Sequence, residues 1–170
     1  SVFRSPMRNA TVTTIAPTGS LHIIAGTSEG IEPPFSLAYR RTIDGRPVEV
    51  VNPLLEAYAA SYRGSVDILS HAKRTGSVQD LPLPDHTRDL FQTALEIPAE
   101  CHVRMQAVLQ KHVDNAVSKT VNLPEHASVD DVSRVFELAR SLRCKGITIY
   151  RNRSKENQVL TSGCDVCRLD

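Results

Sequence analysis

The 170-residue chain has no tryptophan and only four Phe and four Tyr. A core without large aromatics must be assembled from Val, Ile, Leu and Ala, which are plentiful here. An excess of charge is also missing: 20 Lys plus Arg stand against 19 Asp plus Glu, a formal net charge of +1. That balance, with no Lys/Arg cluster on one face, excludes the basic footprint of a nucleic-acid-binding domain. No apolar run reaches the ~20 residues of a membrane-crossing helix, so no membrane partner is expected. Ser1 to Ala10 carries two arginines and a proline but no apolar core, so it does not read as a secretory signal. No initiator Met is present, which fits either processing or a piece of something longer.

Cysteine is sparse as well. The four stand at 101, 144, 164 and 167. Without a secretory signal a disulfide framework is not expected, and a cytoplasmic setting with reduced thiols is. By length the chain is one ordinary domain. A compact chain of this size buries about 70% of its extended surface. Ten prolines and several long polar stretches argue against full compactness here.

Thr11 to Ile15 is β-branched at nearly every position and predicts a strand. Ala16-Pro17-Thr18-Gly19-Ser20 breaks it, and Leu21 to Ala25 reads as a helix start with Ser20 as N-cap. A Gly/Pro-rich loop, Thr27 to Pro34, follows. Phe35 to Thr42 and Val48 to Val51 read as strands joined by an Asp44-Gly45 turn. Asn52 and Pro53 open a helix running to Tyr62, with Gly64 as its stop. Residues 75–89 are broken by Gly76, Pro82 and Pro84, before a short helix from Thr87 to Leu95. Pro98 starts another helix through Val113, with Cys101, Met105, Val108, Leu109 and His112 on one face. Ser118 to Leu123 is extended and ends at Pro124. Ser128 to Arg143 is the clearest helix. Ser128 caps it, Asp131 completes a capping box, and Val129, Val132, Val135, Phe136, Ala139 and Leu142 form its apolar stripe. Gly146 stops it, and Ile147 to Tyr150 is a strand. The polar tail after Arg151 is expected to be mobile. Alternating strands and helices with one hairpin predict an α/β fold, although only about four strands appear.

Two places could carry chemistry. At the Ala16–Ser20 junction a helix start presents unpaired N–H groups to an anion, Gly19 permits close approach, and Thr18 and Ser20 offer hydroxyls. No Gly-Lys-Ser/Thr follows, so this is not a Walker loop; an ordinary capped turn is the plain alternative. Cys164-Asp165-Val166-Cys167 places two thiols two residues apart, near the end of a tail without apolar anchors. Such a pair can shuttle electrons by thiol–disulfide exchange, hold half a zinc site, or be incidental. Zinc would need further ligands, from Cys101 with His102 or from Cys144. No metal is assigned: the six His are scattered, none paired on a helix face. Cys144 and Tyr150 read as packing residues. Glu29, Glu32 and Glu100 are candidate acids that nothing pairs.

The motifs combine into a more specific series. Arg8-Asn9-Ala10-Thr11-Val12-Thr13-Thr14-Ile15-Ala16-Pro17-Thr18-Gly19-Ser20 is followed by Ile24-Ala25-Gly26-Thr27-Ser28, Gly30-Ile31-Glu32-Pro33 and Ala38-Tyr39-Arg40-Arg41. Then come His102-Val103-Arg104-Met105-Gln106-Ala107, Gln110 to Pro124 with its Ser118-Lys119-Thr120 centre, and Cys144-Lys145-Gly146-Ile147-Thr148-Ile149-Tyr150-Arg151. In this order they resemble the C-terminal part of class II ribonucleotide reductases, which depend on adenosylcobalamin. The resemblance covers nearly the whole chain.

It implies a portion of a ten-stranded α/β barrel, incomplete on its own, in residues 1–151, with a flexible tail at 152–170. It implies that Pro17, Thr18, Gly19, Ser20 and Leu21 bind the phosphates of a ribonucleoside diphosphate. It also implies that Cys164 and Cys167 form the dithiol that re-reduces the active site, serviced by thioredoxin or glutaredoxin. The paired tyrosines of the aerobic class I relatives are not matched, because Ile149 precedes Tyr150. Ser20-Leu21-His22 stands where family members often have Thr-Ile-Ser, and Ser28-Glu29-Gly30 where they often have Ser-Ser-Gly. The family's Asn-x-Cys-x-Glu motif is not among the 170 residues. Deoxyribonucleotide synthesis, and most of the adenosylcobalamin site, would therefore require the remaining reductase chain. A split gene or an intein-interrupted one would yield such a piece. The other readings are a stand-alone nucleotide-binding, redox or regulatory module without catalysis, and a zinc-stabilised interaction domain.

Overall fold

The structure is a computed structural model describing residues 8–19, 21–43 and 46–154, with backbone only at 41–43 and 47. The elements are α1 (Leu21–Ala25), β1 (Ala38–Ile43), β2 (Arg46–Val51), α2 (Pro53–Ser61), α3 (Ile68–Thr75), α4 (Asp85–Leu90), α5 (Ala99–Gln110), β3 (Thr120–Leu123), α6 (Val129–Ser141) and β4 (Thr148–Arg151). The fold is α/β, with two two-stranded sheets and no closed barrel among the described residues. The chain divides into two compact units. One joins the residues up to Glu32 with Pro98–Asn152, and the other is built on Pro33–Ile97.

In the first unit β3 and β4 run parallel, pairing Thr120 with Thr148 and Asn122 with Tyr150. Parallel strands need a long crossover, and α6 supplies it. Ser128 caps α6 by accepting from the Asp131 amide, and the Asp131 carboxylate accepts from the Ser128 amide at 2.8 Å, which completes the capping box. Val121 and Leu123 on one sheet face pack with Val103 of α5 and with Val135 and Ala139 of α6. The pleat sends alternate residues to opposite faces. Val117, Lys119, Val121 and Leu123 are accordingly buried, while Ser118, Thr120 and Asn122 between them are half-buried. Parallel sheets are normally covered on both faces. Here the face opposite the buried set is polar.

The described residues before α1 form no regular strand. Thr11–Ile15 is extended, but its one ladder contact is a parallel bridge between Ile15 and Val117. The Ser118 amide donates to Ile15 O at 2.9 Å and the Asn115 amide to Thr13 O at 3.1 Å. A side chain replaces the rest of the ladder: Asp114 Oδ2 accepts from the amides of Val12 and Thr13 and from the Thr13 hydroxyl.

Helix α5 buries a different face from the one its apolar periodicity predicts. Cys101, Met105 and Val108 are exposed, whereas His102, Val103, Gln106, Ala107 and Gln110 are buried. The buried face is largely polar because it receives chain carbonyls. Gln106 Nε2 donates to Val117 O and Gly146 O, and Gln110 Nε2 donates to Asn115 O. Gln110 also reaches Val113 O, so its side chain organises the turn at which the helix ends, short of the expected Val113.

The second unit holds the antiparallel hairpin β1–β2, with Ala38 opposite Val51 and Ile43 opposite Arg46. The expected Asp44-Gly45 turn lies outside the described residues. Strand β1 begins at Ala38 rather than Phe35, because Ser36 and Leu37 are spent on other contacts: the Leu37 amide donates to Gly76 O, and Ser36 Oγ donates to Ala38 O. Asn52 caps α2 through the amides of Leu54 and Leu55, with Pro53 at its first position. The helix ends at Ser61, where Tyr62 turns extended, ahead of Gly64. Helix α3 is an addition to the sequence reading. Asp67 caps it, and Gly76, at φ +79°, ends it in the left-handed conformation that favours glycine. The expected Thr87–Leu95 helix is α4 instead, since Pro84 opens it early and Phe91 leaves it for the core. Leu37, Leu55, Ile68, Ala72, Val78, Leu81, Leu83 and Phe91 form that core.

Candidate functional site

The Ala16–Leu21 junction follows Ile15, where the first segment bridges the chain entering β3. Two successive residues are left-handed, Thr18 at φ +63° and Gly19 at φ +39°. The turn is closed by the Leu21 amide donating to Thr18 O at 2.7 Å. A Cβ on Gly19 would meet nothing within 4 Å, so the backbone there is open to an incoming group. The Thr18 hydroxyl oxygen is buried and has no hydrogen-bond partner among the described residues. That oxygen is closed off from solvent, so an anion at the turn would meet the open backbone at Gly19 first. Helix α1 is only five residues long. Its dipole is correspondingly weak, so an anion held at this turn would depend on the turn's own N–H groups. Leu21 is 68% exposed. Ser20 lies outside the described residues.

A second turn braces this one. Gly30, at φ +54°, lies so near Ala16 that a Cβ on it would sit 3.4 Å from Ala16 O. Two residues on, Glu32 Oε1 accepts from the Thr120 amide at 2.9 Å. Beside it is a buried lysine: Lys119 is 4% exposed and its ammonium lies 2.8 Å from His102 Nδ1, itself 2% exposed. Burial lowers the Lys119 pKa, and the Glu32 carboxylate partly offsets that. In the sequence Glu32 is a candidate acid without a partner, and Lys119 is one residue of the motif series with no role of its own. The signal was available: the alternation Val117, Lys119, Val121, Leu123 places the lysine on the core face.

The remaining candidates separate. Cys164 and Cys167 lie outside the described residues. Burial pushes the Cys144 thiol up from its ordinary value, which suits the packing role expected of it. Cys101 is exposed on α5. No group of three or more His, Cys, Asp or Glu able to hold a metal occurs among the described residues. His102, proposed as a zinc ligand, faces an ammonium, and a dication there would be repelled. Glu29 and Glu100 are exposed. Tyr150 is half-buried beside Asn122 on the polar sheet face. No described helix is long and apolar enough to cross a membrane.

Residues 1–150 match the family model "Ribonucleotide reductase, barrel domain". The chain belongs to the ribonucleotide reductase barrel-domain family. It is 47% identical over 161 residues to a vitamin B12-dependent ribonucleoside-diphosphate reductase of Mycobacterium tuberculosis, covering 92% of this chain and 23% of that protein. A reductase with the same description from Thermoplasma acidophilum is 43% identical over 159 residues, covering 92% of this chain and 21% of its own length. Among solved structures, the class Id ribonucleotide reductase alpha subunit of Actinobacillus ureae superposes with a TM-score of 0.68 at 27% identity, over 85% of this chain and 27% of that one. The chain thus spans about a quarter of the length of these reductases. An open α/β arrangement is what a part of the reductase barrel would show.

Proposed function

We propose that this chain acts as part of a ribonucleoside-diphosphate reductase that makes deoxyribonucleotides with adenosylcobalamin. One observation carries the reading: 47% identity, across nearly the whole chain, to a protein described as a B12-dependent reductase of ribonucleoside diphosphates. In this reading residues 1–151 are a segment of the barrel and 152–170 a tail bearing the dithiol. Pro17, Thr18, Gly19, Ser20 and Leu21 receive the substrate phosphates; the left-handed turn and the open backbone at Gly19 support this. The polar sheet face with Ser118, Thr120, Asn122 and Tyr150 would line the barrel interior.

The reaction replaces the 2′-hydroxyl of the ribose by hydrogen and releases water, while two thiols give up two electrons and two protons and become a disulfide. Cys164 and Cys167 would then reduce that disulfide by exchange, becoming oxidised in turn, and thioredoxin or glutaredoxin would reduce them. Adenosylcobalamin, when bound, supplies the radical that starts the reaction. In this reading the cofactor is held mainly by the remaining reductase chain.

The test is to purify the tagged chain from its source cells with whatever accompanies or continues it, and to assay the assembly. A reductase segment carrying Asn-x-Cys-x-Glu, with deoxyribonucleotide formed only when adenosylcobalamin is added, is the expected result. A chain with no such segment, binding a nucleotide without turnover, would establish the stand-alone module instead.

A further inference from the structure

We propose that Gln106 is a positioning residue for the Ala16–Leu21 turn: its single NH2 group holds two strand-entry carbonyls, Val117 O and Gly146 O, and so fixes the segment to which Ile15, the residue before the turn, is bridged. The inference rests on the phosphate-binding reading above and adds to it a residue that does not itself reach the ligand.

Gln106 is fully buried on α5. Its Nε2 donates to Val117 O at 3.1 Å and to Gly146 O at 2.6 Å. Val117 precedes β3 and Gly146 precedes β4, so both carbonyls stand where the parallel ladder has not yet begun. Two acceptors cannot bond each other. A carboxamide nitrogen carries two hydrogens and no charge, so one side chain answers both. Gln110, one turn further along α5, links the same two segments: it donates to Asn115 O at 2.8 Å and accepts from the Lys145 amide at 3.4 Å. Side chains four apart share a helix face, so α5 holds both strand entries with one polar edge.

The path from there to the turn is short. Val117 forms the parallel bridge with Ile15. The next amide, that of Ser118, donates to Ile15 O at 2.9 Å. Ala16 follows Ile15 directly, so a displaced Val117 carries the start of the turn with it. The other end of the Gln106 amide sharpens the argument. Its Oε1 is buried and meets no donor among the described residues. Such an orphan costs stability rather than adding to it. The contribution of the side chain is therefore its two N–H bonds. If Gln106 only filled space, an apolar residue of like length would serve as well.

The experiment uses the assembled reductase and measures KM and kcat for a ribonucleoside diphosphate in four forms: wild type, G19D, Q106M and S128A. Gln106→Met keeps the length of the side chain, removes the orphan oxygen and strands two buried carbonyls. It is expected to raise KM about tenfold with kcat changed less than about twofold. Ser128→Ala weakens the cap of α6, which takes no part in these contacts, and is expected to leave KM within about twofold of wild type. If G19D leaves KM unchanged, the phosphate-binding reading fails and the proposal with it. If G19D raises KM but Q106M does not, the proposal fails while that reading stands. A rise in S128A equal to that in Q106M also overturns the proposal, since lost stability alone would then be the cause. Should Q106M not fold, as read by thermal melting, Gln106→Glu decides. It keeps the shape and has at most one proton to donate. A KM raised several-fold supports the positioning role, and a KM equal to wild type overturns it.

Discussion

Gly19 sits at φ +39° with open space where a side chain would begin. Any replacement there is strained, so the effect of charge must be separated from the effect of shape. Asn and Asp tolerate left-handed backbone about equally. Gly19→Asp is therefore expected to abolish diphosphate binding in the assembled enzyme, while Gly19→Asn loses only part of it, as measured by nucleotide titration. Equal losses would assign the effect to backbone strain alone. The cysteines divide in the same residue-by-residue way. Cys144 is half-buried with its thiol pushed up, so it is a poor nucleophile at neutral pH. In the proposed function the redox role falls to Cys164 and Cys167. Cys164→Ser is expected to leave a single turnover intact and to stop repeated turnover with thioredoxin. Unchanged repeated turnover would remove the shuttle role.

Helix α6 shows local sequence signals and tertiary packing in agreement. Ser128 and Asp131 form the capping box, and Val135 and Ala139 fill the core beneath. Replacing Ser128 by Ala is expected to cost about 1 kcal/mol of stability, read by chemical denaturation. The extended segment before the Ala16–Leu21 turn depends instead on one carboxylate from far along the chain. The Val12 amide, and then the Thr13 hydroxyl, hold the Asp114 carboxyl below its ordinary value. A group whose folded pKa is depressed stabilises fully above its unfolded pKa, near 3.9, and the contribution is lost as pH falls through the lower folded value. Asp114→Ala is expected to raise amide exchange at Val12 and Thr13 relative to wild type at neutral pH. The difference should shrink once acid has protonated the wild-type carboxyl, and a constant difference down to pH 2 would refute the link.

Taken whole, the chain leaves apolar surface uncovered. Leu21, Ile24, Val108 and Phe136 are 68%, 82%, 55% and 49% exposed. Single exposed apolar residues are ordinary, but α1 presents three within five residues, Leu21, Ile23 and Ile24, and α5 turns its apolar stripe outward. Part of a barrel has this character, because its covering elements belong to the rest of the enzyme. The isolated chain is expected to bind a hydrophobic dye such as ANS, and the remaining reductase segment to displace it. Dye binding unaffected by that segment would mean these surfaces are covered by something else.

Local chemistry made much of this legible from residues alone. Asn52-Pro53, Ser128 with Asp131, and the β-branched run at Ile147–Tyr150 act on their immediate neighbours, and each produced the expected element. The motif series from Arg8 to Arg151 likewise led to the family. Other features were decided by contacts between distant parts of the chain. The Thr11–Ile15 segment had strand composition but found only one bridging partner, since Asp114 takes the hydrogen bonds a ladder would have made. The apolar stripe of α5 pointed outward because Gln106 and Gln110 satisfy buried carbonyls that no helical periodicity can register. Nothing in the chemistry of Lys119 itself announces the His102 ring that folding sets 2.8 Å from its ammonium. Caps and β-branching work over one turn or one strand, whereas the burial of a polar group depends on which partner the fold brings to it.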